Sequence, residues 1–352
     1  MNPVLPLAAR ILVVGPSWVG DMVLAHSLFQ VLRQRRPGAQ IDVLAPAWTL
    51  PLLACMPEVH EGIALPFGHG QLKLRARWRL GRQLRARDYD QAIVLPNSFK
   101  SAIVPFAAHA RQRTGFVGEL RYGLLNDARP LDRQQLPRTV DRFVALGVDR
   151  DEPLPSIPNP LLRADSRNAR AALERLGHAP PTGTVLGLCP GAEYGPAKRW
   201  PPEYYAEVAR AKLDQGWEVW LFGSDKDTSV TRDIQARTGG RCLDLGGRTS
   251  LADAIDLMSL TQTVVTNDSG LMHMAAALGR QVIAIYGSSD PSHTPPMSER
   301  AAVLYLGLDC SPCFERECPL GHLNCLRELK PERVMVALAG GETSRSGIMN
   351  RP

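Results

Sequence analysis

The stretch Val264-Val265-Thr266-Asn267-Asp268-Ser269-Gly270-Leu271-Met272-His273-Met274-Ala275-Ala276-Ala277-Leu278-Gly279 constrains this chain most. Its β-branched, apolar start reads as the end of a buried strand. Asn, Asp, Ser and Gly then form a tight corner, and an Ala-rich helix follows, closed by Gly279. Residues 282–287 make a second apolar strand. The whole is a β-α-β unit with polar residues at the carboxyl end of its first strand. The free backbone N–H groups of the helix start, Ser269 to Met272, suit an anion. An ordinary capped turn is the plain alternative for any one corner of this kind.

The same pattern recurs upstream. Residues 11–15 are a short apolar strand, 16–20 a turn, and Asp21 opens a helix to about Arg35. Gly15-x4-Gly20 imitates a phosphate-binding loop, but that motif continues with Lys and Ser or Thr. Here Asp21 and Met22 follow, and a carboxylate there repels phosphate, which excludes the kinase and ATPase readings. The dinucleotide fingerprint G-x-G-x-x-G is absent as well. A carboxylate at a helix start is placed either to accept a proton or to cap the helix dipole. Residues 41–45 form the next strand. Lys73, Arg75, Arg77, Arg79, Arg82, Arg85 and Arg87 then lie on an amphipathic helix, a cationic face open to solvent or to an anionic surface. Residues 90–95 are a strand ending in Pro96-Asn97-Ser98-Phe99-Lys100-Ser101. Residues 113–126 read as a Gly-punctuated loop, and 138–146 as a helix.

Residues 149–160 are rich in Pro and acid and lack periodicity, so they read as a domain linker. The alternation then restarts, with a strand at 184–189, the loop 190–201, a helix from 202 and a strand at 217–222. Residues 228–237 form a helix and 242–245 a strand, leading into the opening unit. Two such runs predict an α/β chain of two Rossmann-like α/β/α domains facing a central cleft, residues 1–160 and 161–340.

Composition narrows the partners. A net charge of +6 and a pI near 9.0 favour a phosphorylated or otherwise anionic ligand. The start shows no secretory leader, and no apolar run spans a membrane. Seven cysteines, three of them isolated, predict a reducing compartment and mostly free thiols. Of three D-x-D triplets, Asp225-Lys226-Asp227 follows a strand and is placed to face a ligand; Lys226 weakens it as a metal pair, and ribose hydroxyls suit it better. Cys310-x2-Cys313-x4-Cys318-x6-Cys325, with His322 inside, has enough ligands for a metal. Its spacing matches no standard zinc or ferredoxin signature, so structural or redox-sensitive thiols rank above a metal.

With these motifs assembled, the chain resembles the ADP-heptose:lipopolysaccharide heptosyltransferases, glycosyltransferase family 9, of GT-B fold. The resemblance rests on residues 15–21, 95–101, 121–127, 190–201 and 266–273. It implies inverting transfer of L-glycero-D-manno-heptose from ADP-heptose onto the first heptose of the inner core, heptosyl-Kdo-lipid A. It makes Asp21 the catalytic base and places Lys198 at the diphosphate. Asp268, Ser269, Gly270, Leu271 and His273 become the donor loop, Asp227 a ribose-binding acid, and Thr249 an adenine-side residue. Glu193 and Tyr194 join the donor site, although other members carry small hydroxylated residues there. The cysteine-rich segment departs from the family pattern.

Chemistry agrees with that division. Asp268 is acceptor-only and suits sugar hydroxyls, because it faces phosphate only with a cation beside it. His273 is one helical turn from Ser269 and touches either the diphosphate or the core. For a phosphorylated, lipid-borne acceptor the first-domain cations Lys100, Arg113, Arg121 and Arg142 are the candidates. No cofactor and no catalytic metal are expected. The implied setting is cytoplasmic, peripheral on the inner leaflet of the inner membrane. Competing readings are a heptosyltransferase with another acceptor, another GT-B sugar transferase, and a non-catalytic nucleotide-sugar-binding protein. A nucleic-acid binder ranks last, since the basic helix lacks interleaved aromatics.

Overall fold

A computed structural model describes residues 6–66 and 71–343; residues 1–5, part of the start read as lacking a leader, lie outside these. The chain divides into two compact units, Met1–Pro160 and Leu161–Pro352.

The first unit holds β1 (Arg10–Val14), α1 (Val19–Arg35), β2 (Gln40–Pro46), α2 (Leu50–Ala54), β3 (Val59–Leu65) and α3 (Leu74–Leu84). It continues with β4 (Gln91–Val94), α4 (Ile103–Ala107), β5 (Gln112–Phe116), β6 (Asp127–Arg129) and α5 (Thr139–Ala145). The sheet order is β3-β2-β1-β4-β5-β6, parallel throughout. β1 and β4 lie at the centre and are buried on both faces, which is why they read as unbroken apolar runs.

The second unit holds α6 (Ser166–Arg175), β7 (Val185–Cys189), α7 (Pro202–Asp214), β8 (Glu218–Leu221), α8 (Thr228–Arg237) and β9 (Leu243–Asp244). Then come α9 (Leu251–Met258), β10 (Thr263–Asn267), α10 (Gly270–Ala277), β11 (Gln281–Ile285), β12 (Ala301–Leu304), α11 (Asn324–Arg327) and α12 (Pro331–Thr343). Its parallel sheet runs β12-β11-β10-β7-β8-β9. Counted from its own first strand, this is the same 3-2-1-4-5-6 order as in the first unit, the doubly wound dinucleotide-binding arrangement. Trp200, Tyr205, Leu188 and Val265 lead its core, and Leu326, Leu329 and Val334 close it from the C-terminal side.

The structure departs from the sequence reading in two places and adds detail in a third. Residues 113–126 are not one loop: β5 begins at Gln112 and carries Arg113, and the chain enters β6 at Asp127. The linker is without helix or strand but is tied down. Ser27 Oγ donates to Pro158 O at 2.7 Å, Gln30 Nε2 to Asn159 O at 2.9 Å, and Arg35 pairs with Glu152 at 2.5 Å. Leu162, two residues past Pro160, donates its N–H to Ala277 O at 2.9 Å, within the second unit. Finally, the basic helix is less cationic than its sequence. Arg77 is buried and donates to Leu72 O and Gln71 O, Arg85 donates to Ala107 O, and Arg87 pairs with Glu61 and Asp42. Arg75, Arg79 and Arg82 stay exposed beside exposed Leu72, Leu74 and Trp78. Among the described residues, no helix is long and apolar enough to cross a membrane.

Candidate active site

Strand order reverses between β1 and β4 in one sheet and between β7 and β10 in the other. Ligands of open α/β sheets sit at the carboxyl ends of such strands. In the second unit those ends are the loop 190–201 and the corner 267–269.

Asn267, which the sequence reading passed over, joins the two. It is fully buried. Its Nδ2 donates to Pro190 O at 2.7 Å, while its Oδ1 accepts from Trp200 N and Tyr205 OH, each at 3.0 Å. An amide both donates and accepts, so one side chain pins both ends of the loop; Asp or Leu lacks half of that capacity. The available signal was a polar residue at the end of an otherwise apolar buried strand.

The loop so held brings Lys198 Nζ to 2.5 Å from Asp268 Oδ2. Ser289 Oγ donates to the same oxygen at 2.5 Å. The pair is 18% and 6% exposed. Lys198 is therefore the cation that lets Asp268 sit beside an anion. Arg199 turns away, its guanidinium donating to Ala192 O at 3.1 Å. Lys198 also lies over the Tyr194 ring at 5.0 Å, with Arg316 at 5.1 Å from the same ring. The Tyr194 hydroxyl donates to Phe314 O at 2.6 Å, so its polar end is engaged within the protein.

Ser269 is the N-cap of α10 but makes no side-chain cap bond. Its Oγ, His273 Nδ1 and Ser288 Oγ are buried with no hydrogen-bond partner among the described residues. Buried polar atoms are nearly always paired, so each orphan asks for a ligand or water. All three sit on segments that carry Asp268, Ser289 or the helix start. Burial pushes the His273 imidazole down to about 4, with Asp268 pulling it up and Lys198 pushing it down. His273 is thus a neutral imidazole at physiological pH, able to offer one N–H and one lone pair. Gly270 and Leu271 form the first turn of α10, with backbone N–H groups that have no earlier helical carbonyl to bond.

The other second-unit candidates have different surroundings. Asp227 closes a short 3-10 turn, where its Oδ2 accepts from Ser224 N at 2.9 Å and Ser224 Oγ at 2.7 Å. Its carboxyl group lies against Gly191; a Cβ there would fall 2.3 Å from Asp227 Cγ. One oxygen of the expected ribose acid is therefore spent on a cap. Asp225 lies beside Gly247 instead, and Lys226 pairs with exposed Glu193. Glu193 is thus in an exposed ion pair. Thr249 is half-buried just before Ser250, the N-cap of α9. Among the described residues, the group with metal-ligand spacing is Asp42, His60 and Glu61 in the first unit. Arg87 bonds both carboxylates there and Tyr89 donates to Asp42 at 2.7 Å, which makes it an ion-pair network.

In the first unit, Asp21 is half-buried in the first turn of α1, directly after the loop leaving β1. Lys100 is half-buried on the 3-10 turn Phe99–Ala102 that follows β4, at the same end of the sheet. Three expected acceptor cations have structural work instead. Arg121 is 2% exposed, and its guanidinium donates to Pro96 O at 2.6 Å, to Ser101 Oγ at 3.2 Å and to Phe116 O. Burial lowers it to about 10. It shapes the loop 95–101 from beneath. Arg113 donates to Leu124 O and Ala110 O, each at 2.7 Å, and lies over Phe106. Arg142 donates to Leu136 O and Pro137 O, each at 2.9 Å. A guanidinium already bonded to backbone carbonyls has fewer donors left for an incoming phosphate, and Arg113, Arg121 and Arg142 each tie a loop in this way.

Comparison with known proteins matches this architecture. The profile described as Glycosyltransferase family 9 (heptosyltransferase) matches residues 77–324. A Salmonella typhimurium protein named lipopolysaccharide heptosyltransferase 2 is 45% identical over 338 residues, 94% of this chain and 97% of its own length. A Haemophilus ducreyi lipooligosaccharide heptosyltransferase 2 is 44% identical over 344 residues, covering 94% and 98%. The solved structure of E. coli ADP-heptose lps heptosyltransferase II superposes with a TM-score of 0.83 at 43% identity, covering 94% of this chain and 98% of that one.

Proposed function

Because this chain belongs to glycosyltransferase family 9 and has its two-domain GT-B fold, we propose that it transfers L-glycero-D-manno-heptose from ADP-heptose onto the first heptose of the lipopolysaccharide inner core, with inversion. The observation that carries the donor assignment is the set of orphaned buried atoms, Ser269 Oγ, His273 Nδ1 and Ser288 Oγ, around the Lys198–Asp268 pair. A diphosphate supplies acceptor oxygens to the serine hydroxyls, to a His273 N–H, to Lys198 and to the first N–H groups of α10. Asp268 then accepts from heptose hydroxyls while Lys198 balances its charge. The adenosine end falls toward Asp227 and Thr249.

Chemically, the acceptor hydroxyl oxygen attacks the anomeric carbon as the bond from that carbon to the diphosphate oxygen breaks. The hydroxyl proton passes to the Asp21 carboxylate, and ADP leaves with the bonding electrons. Charge grows on the leaving diphosphate, where Lys198 and the helix-start N–H groups stabilise it. The donor-binding role falls to the second unit and the base to the first, with Lys100 left as the first-unit cation for the acceptor. No divalent metal is given a step, since the cation at the leaving group is Lys198. Placement of the enzyme on the cytoplasmic face of the inner membrane follows from the lipid-borne acceptor.

The test offers ADP-heptose with Kdo-lipid A acceptors bearing zero, one or two heptoses. Turnover is expected with one. Asp21→Asn should keep ADP affinity and lose about 10²–10⁴-fold in turnover. Near-normal turnover of that variant removes Asp21 as base; preference for the bare or doubly substituted acceptor overturns the acceptor assignment.

A further inference from the structure

The segment after β12 returns to the second-unit site before it enters α11. Three hydrogen bonds to its backbone hold it there. Phe314 N donates to Ser288 O at 2.7 Å, Phe314 O accepts from the Tyr194 hydroxyl at 2.6 Å, and Arg316 O accepts from Ala197 N at 3.0 Å. Gly195 meets the segment without a side chain, since a Cβ there would fall 2.3 Å from Arg316 O. Phe314 sits at φ +60°, a left-handed conformation that a bulky residue keeps only where its surroundings impose it. Cys310, Cys313, Cys318 and Cys325 line one recess together with Ala197 and Ser288, which packs the segment against the same two residues. Each anchor adjoins a donor-site group. Ser288 carries an orphaned Oγ, Ala197 precedes Lys198, and the Tyr194 ring lies beneath the Lys198 ammonium.

What the segment delivers is a second cation. Arg316 Cζ lies over the Tyr194 ring, 5.1 Å from its centroid, and Lys198 Nζ lies over the same ring at 5.0 Å. Two cations held at one ring repel each other, so the arrangement favours an anion beside them. Two carboxylates of this site are already matched, Asp268 with Lys198 and Glu193 with Lys226. Glu315 and Glu317 flank Arg316 in the chain and are exposed, and among the described residues no carboxylate pairs with its guanidinium. A guanidinium over an aromatic face keeps its N–H donors at its edge, in the planar fork that matches phosphate oxygens. Lys198, a point charge, lacks that fork.

We propose that Arg316 is a donor-binding residue, a second cation whose guanidinium edge bonds the diphosphate of ADP-heptose alongside Lys198. This rests on the donor reading given above and adds to it a residue from outside the strand-end loops. Tyr194 is then the seat of both cations. The segment after β12 becomes a third wall of the donor site, beside the loop 190–201 and the corner 267–269.

The test is calorimetric titration of the full chain with ADP, with adenosine measured by its competition against ADP. Arg316→Gln should weaken ADP about tenfold, the worth of one hydrogen bond to a charged group, and leave adenosine unchanged. Arg316→Lys keeps the charge without the fork and should fall between. Arg167→Gln, on an α6 side chain that is 93% exposed, should keep its ADP affinity. Retained adenosine binding shows that each variant is folded. ADP affinity of Arg316→Gln within about twofold of the unaltered chain overturns the proposal. So does an equal loss for adenosine, which marks a merely structural seat, or an equal loss in Arg167→Gln, which marks diffuse charge. In those three outcomes the unaltered chain still binds ADP and the donor reading stands. An unaltered chain that binds no ADP overturns both.

Discussion

Removing Lys198 separates what this residue does for the fold from what it does for the reaction. Lys198→Ala strands the Asp268 carboxylate, 6% exposed, with Ser289 as its remaining donor. Breaking a buried pair from one side costs about 3–5 kcal/mol, and the 18% exposure of Lys198 points to the lower end, about 3 kcal/mol. Adding Asp268→Asn removes the stranded charge, so the double variant should recover to within about 1 kcal/mol of the unaltered chain. Turnover should behave differently. Without the ammonium at the leaving diphosphate, both variants should lose about 10²–10³-fold in kcat, the usual cost of one such donor. A chain of two units need not unfold in one step, so native-state hydrogen exchange of the β10 amides is the suitable stability assay. Initial rates with ADP-heptose supply the second measurement. A stability loss below about 1 kcal/mol for Lys198→Ala, or a double variant as unstable as the single one, refutes the pairing argument. Near-normal kcat in either refutes the leaving-group role.

Two further outcomes follow from the geometry. His273 has a folded value of about 4 against an ordinary 6.5, so the unfolded chain takes up its proton first as pH falls. Its contribution is intact above pH 6.5 and drains away toward pH 4, about 3 kcal/mol in all; His273→Gln should flatten exchange-derived stability across that window, and an unchanged slope would assign the acid sensitivity elsewhere. Replacing Arg75, Arg79 and Arg82 together by Gln should weaken sedimentation with anionic liposomes by about 3 kcal/mol, near 1 kcal/mol per cation, and undiminished binding would leave that face merely solvated.

Much of this chain could be read from its residues in order. Strands β1, β4, β7 and β10 are buried on both faces, so each writes an apolar or β-branched stretch into the sequence. The corner 267–270 and the Asp21 helix start are equally local, because a cap or tight turn is built from neighbours. Edge strands were harder. β3 and β12 have one or more exposed positions, β6 is three residues long with charged residues at both ends, and β5 opens Gln112-Arg113. Their pairing is decided by the strand beside them, not by their own periodicity.

The charged residues divide in the same way. From the sequence, Arg121 and Lys100 are two acceptor candidates on separate loops. Tertiary structure buries Arg121 under that loop, bonded to Pro96 O and Phe116 O, and leaves Lys100 half-exposed at the sheet end. Identity and local pattern thus determined the two α/β units, the polar corners at their strand ends and the family. The chain's folding over long separations decided the partners: Asp268 with Lys198, Asn267 with Trp200, and four cysteines around one recess. The physical reason is range. Hydrophobic periodicity and capping act across a few residues, whereas a hydrogen bond between residues 70 positions apart is set by where the sheets carry them.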